Sequence, residues 1–166
     1  MIILGIDPGL RHTGWGIVSF NNGKLSHIAN GTVSPSVKLS MSERLFTIQR
    51  GLSMVFEQHK PQESAIEEIF VNKNPSSTLK LGMARGVAFA VPAQYNIPLT
   101  EYSANLVKKT VVGAGHAKKE QIQMMVKMLL PNVMLNSEDS ADALAVAICH
   151  AQHYQTNKKI KEAMAS

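Results

Sequence analysis

The chain has 166 residues, with 17 Lys and Arg against 12 Asp and Glu, a net charge of +5 and a single Cys. This length fits one domain, the apolar content of 45% excludes a disordered chain, and one Cys excludes an internal disulfide. Because no apolar run approaches the ~20 residues that span a bilayer and no basic leader precedes the first apolar stretch, we expect a soluble, cytoplasmic protein. The positive charge favours a polyanionic partner.

The first third of the chain has the pattern of β-strands. An apolar run over residues 2–6 ends at the turn-forming residues Asp7, Pro8 and Gly9. Further strands are predicted over residues 13–20 and 25–33, separated by a second turn. Strands joined by turns this short pair as an antiparallel meander.

The rest of the chain alternates helical and extended patterns. Ser40 and Glu43 form a candidate capping box before a helical apolar repeat that stops at Pro61. Strands are predicted over residues 64–71 and 97–102, and helices over 76–94, 104–111, 119–130 and 137–154. Pro92 should kink or end the helix that contains it. The order of elements predicts an α/β fold, a mixed sheet with helices on its faces.

The end of the chain differs from the rest in composition. We predict a single domain over residues 1–155 and a frayed or disordered basic tail over residues 156–166, which has few apolar anchors and a cluster of Lys. His150 and His153, near the end of the last predicted helix, are expected to form a half-exposed polar pair rather than a metal site.

Small residues recur every four positions in the helix predicted over residues 76–94. Gly82, Gly86 and Ala90 form a ridge on which another backbone can approach closely, and two Gly in a helix, each costing ~1 kcal/mol relative to Ala, call for a packing explanation. The ridge packs either on the protein's own sheet or against the same helix of a second copy across a two-fold axis.

Four acidic residues carry most of the chemistry that the sequence suggests. Asp7 ends the first strand, Glu67 lies in an apolar strand, and Asp139 and Asp142 share one face of the last helix near its start. Each has an ordinary structural alternative: a turn, an edge strand in water or a helix cap. Glu67 on a covered face and Asp142 beside the core face would, however, each need a partner.

The four acids together favour a divalent cation. Carboxylate oxygens are the ligands of hard cations, and no Cys and His cluster suggests zinc. Two Mg²⁺ ions roughly 3.5 to 4 Å apart would offset the repulsion among the carboxylates and support attack of water on a phosphodiester. The residues therefore predict metal-dependent phosphodiester hydrolysis.

Five groups of motifs occur in order along the chain. They are Gly5-Ile6-Asp7-Pro8-Gly9 with Thr13-Gly14-Trp15-Gly16; Ala65-Ile66-Glu67-Glu68 with Phe70; Lys80-Leu81-Gly82 with Ala84-Arg85-Gly86; Lys108 with Thr110-Val111-Val112-Gly113; and Ala141-Asp142-Ala143-Leu144-Ala145. As a set they resemble the RuvC family of Holliday junction resolvases, from residue 1 to about residue 155.

The resemblance implies both a fold and an activity. The fold is ribonuclease-H-like, a five-stranded mixed sheet with its first three strands antiparallel and helices on both faces. The activity is the resolution of four-way DNA junctions in recombination and repair, by a homodimer that makes paired symmetric nicks and leaves 5′-phosphate and 3′-hydroxyl ends. The implied cofactor is Mg²⁺, two ions per active site with Mn²⁺ able to substitute, and the implied partners are the RuvA and RuvB branch-migration proteins.

The resemblance also assigns roles to individual residues. Position by position, the family's catalytic metal ligands fall on the same four acids: Asp7, Glu67, Asp139 and Asp142. Its catalytic-region lysines fall on Lys108 and Lys119, its junction-wedging aromatic falls on Phe70, and the ridge of Gly82, Gly86 and Ala90 falls on its dimer helix.

Basic residues near these motifs are candidates for DNA contacts. They are Lys73, Lys80, Arg85, Lys108, Lys109, Lys118 and Lys119, in addition to the aromatic Phe70. A solvated surface is the ordinary alternative for such a charge run, and Phe70 could be ordinary core. The residues assign no role to His116, and none to Lys118 beyond this candidate contact.

Three other functions are alternatives to this prediction. An actin-like or sugar-kinase-like ATPase needs a second lobe, which 166 residues do not provide. A ribonuclease-H-like nuclease acting on RNA would share the chemistry and differ only in substrate. A non-catalytic junction-binding protein would not need all four acids.

Overall fold

The computed structural model describes residues 1–68 and 74–165. The strands in these ranges are β1 (Ile2–Asp7), β2 (Thr13–Asn21), β3 (Lys24–Val33), β4 (Glu63–Glu67) and β5 (Leu99–Tyr102). The helices are α1 (Met41–His59), α2 (Pro75–Gln94), α3 (Ala104–Val112), α4 (Lys119–Leu129) and α5 (Glu138–Ala165).

The strands form a single sheet in the order β3-β2-β1-β4-β5. β1 pairs antiparallel with β2, and β2 with β3, whereas β4 is parallel to both β1 and β5. The mixed sheet with an antiparallel meander is therefore confirmed. Because β1 and β4 run in the same direction, their carboxyl ends meet at one edge of the sheet.

Apolar cores cover both faces of the sheet, as predicted. On one face α1 and α2 contribute Ile48, Leu52, Ala84 and Ala88, each at most 1% exposed. On the other face the core comes from α3, α4 and α5, with α5 packed across the sheet. Among the described residues, no helix is both long enough and apolar enough to cross a membrane.

Helix α5 approaches the sheet so closely that glycine is required beneath it. A Cβ on Gly5 would lie 2.0 Å from the carbonyl oxygen of Ala143, and a Cβ on Gly14 would lie 2.0 Å from that of Asp139. Ordinary contacts are about 3.5–4.0 Å, so neither strand position can carry a side chain without moving the helix. The glycines of β1 and β2 thus set the height of α5 above the sheet.

Two helix ends follow the local rules of the sequence. The capping box at the start of α1 is confirmed: Ser40 Oγ accepts from the backbone N–H of Glu43, and the Glu43 carboxylate accepts from the backbone N–H of Ser40 at 2.8 Å. Pro92 lies inside α2, which ends two residues later, and its carbonyl accepts from the N–H of Ile97 at 3.0 Å.

The structure differs from the sequence prediction at the chain's end. Helical backbone continues through Ala165, where a frayed or disordered tail was predicted from residue 156. The prediction rested on the shortage of apolar anchors. Residues 156–165, however, contain no Pro or Gly, and their three Lys, two Ala and one Glu are residues that propagate a helix already begun.

The prediction of a half-exposed histidine pair is wrong for His150. This residue is 1% exposed, its Nδ1 lies 3.1 Å from the Tyr102 hydroxyl in a hydrogen bond, and its Nε2 lies 3.5 Å from a Glu63 carboxylate oxygen. α5 is covered by the sheet and by neighbouring helices over this stretch, so its buried surface is wider than one stripe. A polar ring is buried there because β4 and β5 supply its partners.

The small-residue ridge of α2 faces away from the protein's own sheet. Gly82, Gly86 and Ala90 are exposed, and a Cβ at either glycine would meet no atom within 4 Å. Instead α2 packs on the core through Ala84 and Ala88. Packing of the ridge on its own sheet is therefore wrong, and the helix contact with a second copy stays a prediction.

Candidate active site

Two of the predicted ligands meet where β1 and β4 end. The register pairs Ile6 with Ile66, so Asp7 and Glu67 follow at neighbouring positions of the same sheet edge. Burial raises the pKa of Asp7 well above its usual range, and the negative charges of Glu67, Asp142 and Asp139 raise it further. Burial also raises the pKa of Glu67, and the negative charge of Asp142 raises it further.

The other two acids come from the start of α5. Asp139 lies over Gly14, the residue that pairs with Asp7 across the antiparallel β1–β2 ladder. Burial raises the pKa of Asp142, and the positive charge of Lys119 partly offsets that rise. The sequence-predicted acids therefore influence one another electrostatically although they come from three separate elements.

Hydrogen bonds from β3 hold the start of α5 in place. Asn30 Oδ1 accepts from the backbone N–H of Asn136 at 3.1 Å, and the carbonyl of Asn30 accepts from Asn136 Nδ2 at 2.7 Å. The hydroxyls of Thr32 and Ser137 lie 2.6 Å apart. Sequence reasoning missed these residues because their partners are about a hundred positions away and no local pattern reveals the pairing.

Both predicted catalytic-region lysines lie beside the acids. A cavity of about 210 Å³ is lined by Glu67, Lys108, Lys119 and Asp142. Asp142 is the main cause of a raised pKa at Lys119, whose Nζ also lies 3.5 Å from a carboxylate oxygen of Glu138. The lysines supply positive charge on the side of the site formed by α3 and α4.

The four carboxylates are ligands of the kind that a hard cation prefers, but their side chains are not grouped around a common point. Within residues 1–68 and 74–165, no three acidic, His or Cys side chains are grouped closely enough to hold a metal ion as they stand. The raised pKa values of Asp7, Glu67 and Asp142 nonetheless mark negative charge that lacks compensation. A divalent cation would supply that compensation once the side chains turned toward it.

Two larger cavities meet at Asp139. The basic cavity, about 470 Å³, is lined by Arg11, Arg44 and Lys80. The second cavity, about 640 Å³, has no Lys or Arg in its lining, which includes Trp15, Asn30, Gly31, Thr32, Ser34, Asn136 and Ser137. Asp139 and His12 line both cavities.

The structure separates the basic residues that the sequence grouped together. Lys80 lines the basic cavity, whereas Lys109 and Lys118 are exposed at the end of α3 and just before α4. Arg85 is half-buried in an ion pair with Glu101, which joins α2 to β5, and it lines neither cavity.

Two predicted DNA-contact residues lie outside the described part of the chain, and two basic residues of the site were not predicted. Phe70 and Lys73 lie outside the described residues. Sequence reasoning did not select Arg11 or Arg44. The first stands in the same turn as Asp7 and could have been found from that proximity, whereas the second reaches the cavity only through the packing of α1.

Comparison with known protein families gives a match over most of the chain. The family model described as crossover junction endodeoxyribonuclease RuvC matches residues 3–150. A curated RuvC from Paramagnetospirillum magneticum is 52% identical over 165 residues, covering 99% of each chain. A second, from Bartonella tribocorum, is 54% identical over 151 residues, covering 91% of this chain and 88% of the relative.

A solved structure is similar over the same range. The RuvC of T. thermophilus in complex with a Holliday junction substrate superposes with a TM-score of 0.87, at 30% identity, and the match covers 95% of this chain and 96% of that one. The fold, which is ribonuclease-H-like, and the resemblance drawn from the five motif groups are both confirmed. The chain belongs to the RuvC family of crossover junction endodeoxyribonucleases.

Proposed function

We propose that this protein is an endonuclease that resolves four-way DNA junctions by paired symmetric nicks, leaving 5′-phosphate and 3′-hydroxyl ends. One observation carries the proposal. In a chain of the RuvC family, Asp7, Glu67, Asp139 and Asp142 influence one another at one sheet edge, with lysines and a basic cavity around them. Positive charge at the rim suits a polyanion, and the acids suit the cleavage of its phosphodiester.

The proposed cofactor is Mg²⁺, two ions per active site, with Mn²⁺ able to substitute. The ligands would be the same four carboxylates, after rotation of side chains that are not yet grouped for a metal. When bound, such ions activate a water molecule and stabilise the leaving oxygen of a phosphodiester. The raised pKa values of Asp7 and Glu67 support the proposal, since uncompensated carboxylates favour cation binding.

The lysines next to the acids have a separate part in the proposal. Lys108 and Lys119 line the cavity of Glu67 and Asp142, so they can hold the scissile phosphate against the carboxylates that would repel it. The basic cavity, with Arg11, Arg44 and Lys80, would hold a neighbouring phosphate of the same strand.

Paired nicks require two active sites, and we propose that a homodimer supplies them. The support is an exposed apolar stripe on α2, where Leu79, Met83 and Phe89 are 64%, 42% and 40% exposed. They accompany the exposed Gly82 and Gly86, which would let a second helix approach closely. We also propose that the protein works with RuvA and RuvB in the bacterial cytoplasm near the nucleoid. The support for both points is membership of the RuvC family.

A substrate panel tests the activity against its rivals. The protein is incubated with labelled four-way junction, duplex, single-stranded DNA and RNA in Mg²⁺, in Mn²⁺ and in EDTA. We expect paired nicks on the junction only, in either metal and not in EDTA. Equal cutting of duplex or RNA would favour the nuclease of RNA-processing type, and tight junction binding without cleavage would favour the non-catalytic protein.

Asp7→Asn is the matched control for this panel. Loss of one ligand charge should abolish cleavage and spare junction binding, because the phosphate contacts lie elsewhere. Loss of binding together with cleavage would contradict a purely catalytic role for Asp7.

A further inference from the structure

The turn between β1 and β2 follows Asp7 directly and is held by two side-chain contacts. The buried Thr13 closes the turn, since its Oγ1 donates to the carbonyl of Gly9 at 2.7 Å. The second contact comes from α1, where Arg44 Nη2 donates to the carbonyl of Leu10 at 2.9 Å. These partners are 34 positions apart in the chain, so the contact joins the turn to a separate element. The backbone after Asp7 therefore depends on where Arg44 lies.

Arg44 uses only part of its hydrogen-bonding capacity on this turn. A guanidinium carries several N–H donors in one rigid plane. Nη2 binds the Leu10 carbonyl, whereas Nε is buried and has no hydrogen-bond partner within residues 1–68 and 74–165. Over the same ranges, none of the ion pairs includes Arg44. Because a buried charged donor without a partner is costly, this guanidinium is suited to receive an anion.

The basic cavity beside Arg44 is where an anion would be attracted. Arg11 lines it from the turn, and Lys80 lines it from α2. Asp139 also lines this cavity, so an anion held there lies next to one of the four acids. In a nuclease, the anion that meets such a group of cations is a backbone phosphate of the bound strand.

We propose that Arg44 is a positioning residue: it binds a strand phosphate in the basic cavity and, through Leu10, fixes the turn that follows Asp7. The inference rests on the proposed function, since the phosphate belongs to the cleaved junction. One guanidinium can make both contacts at once because its donors point in fixed and separate directions. The rate of cleavage, and not only the affinity for DNA, then depends on this phosphate.

Lys80 offers a comparison within the same cavity. It is exposed on α2, and among the described residues it forms no hydrogen bond with the turn. A lysine ammonium also acts on phosphate as a point charge. Removal of Lys80 should therefore mainly weaken junction binding, whereas removal of Arg44 should also slow the cleavage of junction that is already bound.

The test is a double-mutant cycle between Arg44 and the DNA. Phosphates around the cut of a four-way junction are replaced one at a time by neutral methylphosphonates. Each junction is cleaved in single turnover, at saturating protein, by wild type, Arg44→Ala, Arg44→Lys and Lys80→Ala, and its Kd is measured in EDTA. Arg50→Ala is the matched control, because Arg50 is an exposed arginine of the same helix whose guanidinium lies 6.0 Å from the centre of the Phe46 ring.

The expected result identifies one phosphate that acts through Arg44. With wild type, its neutralisation should lower the saturated rate by up to about 100-fold, the loss that a small misplacement of a catalytic group causes. With Arg44→Ala the same replacement should change the rate by less than about twofold, because the contact is already absent. Arg50→Ala should respond as wild type does, and Lys80→Ala should raise the Kd more than it lowers the saturated rate.

Arg44→Lys separates charge from geometry. It should bind the junction about as tightly as wild type and cleave it more slowly, because one ammonium cannot hold the phosphate and the Leu10 carbonyl in the same arrangement. Should Arg44→Ala not fold, the cycle is run with Arg44→Lys.

A purely structural role for Arg44 gives a different outcome. The effects of the Arg44 substitution and of each phosphate replacement would then multiply at every position, which would overturn the inference and leave the proposed function standing. Cleavage by Arg44→Lys at the wild-type rate would overturn it in the same way. Absence of junction cleavage by wild type would overturn both.

Discussion

The substitution Gly14→Ala examines how the site is assembled. A Cβ at this position would lie 2.0 Å from the carbonyl oxygen of Asp139 and 3.1 Å from its Cβ. To restore an ordinary separation of about 3.5 Å between the new Cβ and the carbonyl oxygen of Asp139, the helix has to move by more than about 1 Å. Because Gly14 pairs with Asp7 in the sheet, the movement carries Asp139 away from Asp7.

The expected effects on stability and on activity differ in size. Overpacking of this kind costs about 1–3 kcal/mol in free energy of unfolding, which a single-domain protein can tolerate. A misplacement of about 1 Å in a catalytic group costs about 100-fold in rate. We therefore expect a folded protein with strongly reduced junction cleavage.

The assay measures both quantities on the same samples. Thermal unfolding by circular dichroism gives the stability, and single-turnover cleavage of a four-way junction well below the transition gives the rate. Gly115→Ala is the matched control, since a Cβ there would meet only ordinary contacts, the nearest at 3.9 Å.

Two results would refute the reasoning. Wild-type stability and wild-type cleavage in Gly14→Ala would mean that the close approach of α5 does not set the site. A loss of cleavage no larger than the fraction of unfolded protein would mean that the substitution acts on the fold and not on the position of Asp139.

Three further predictions concern the acids and the dimer. Asp7→Asn should make the metal-free protein more stable at neutral pH, because it removes a carboxylate whose pKa is raised by burial and by its acidic neighbours. The same substitution should abolish stabilisation by Mg²⁺, as measured by calorimetry. A variant less stable than wild type would contradict this prediction. The difference in unfolding free energy between Asp7→Asn and wild type should vanish below about pH 4, the usual pKa range of aspartate, and should grow with rising pH until the raised pKa of Asp7 is passed. The reason is that the folded wild type binds the Asp7 proton more tightly than the unfolded chain does. A difference that does not change with pH in denaturant titrations would refute this prediction. Gly86→Leu should shift the dimer toward monomer in sedimentation, whereas Gln58→Leu, an exposed site on α1, should not; an unchanged state for Gly86→Leu would reject the interface.

The sequence alone could predict that an acid such as Glu67 is partly buried, but it could not predict which other acid lies beside it. A carboxylate in an apolar strand has to be partly covered, and Glu67 is half-buried while its neighbour Glu68 is exposed, as the alternation of a strand requires. What local pattern could not reveal is that Glu67 and Asp7 lie at neighbouring positions of one sheet edge, because that depends on which strands pair.

Chain order and local pattern determined the elements of this protein and the kind of chemistry it carries. Turn residues, apolar periods and capping signals are properties of neighbours in the chain, and so the strands, most helix limits and the four acids could be predicted. The motifs around those acids are sufficient to identify the family from the sequence.

The tertiary structure decided what those residues do together. The close approach of α5 depends on glycines of β1 and β2, and the start of α5 depends on Asn30 and Thr32 of β3, which are contacts between distant parts of the chain. The exposure of the α2 ridge, the burial of His150 and the two unlike cavities at Asp139 arise in the same way. Each depends on which surfaces are covered after packing, and no local pattern records that.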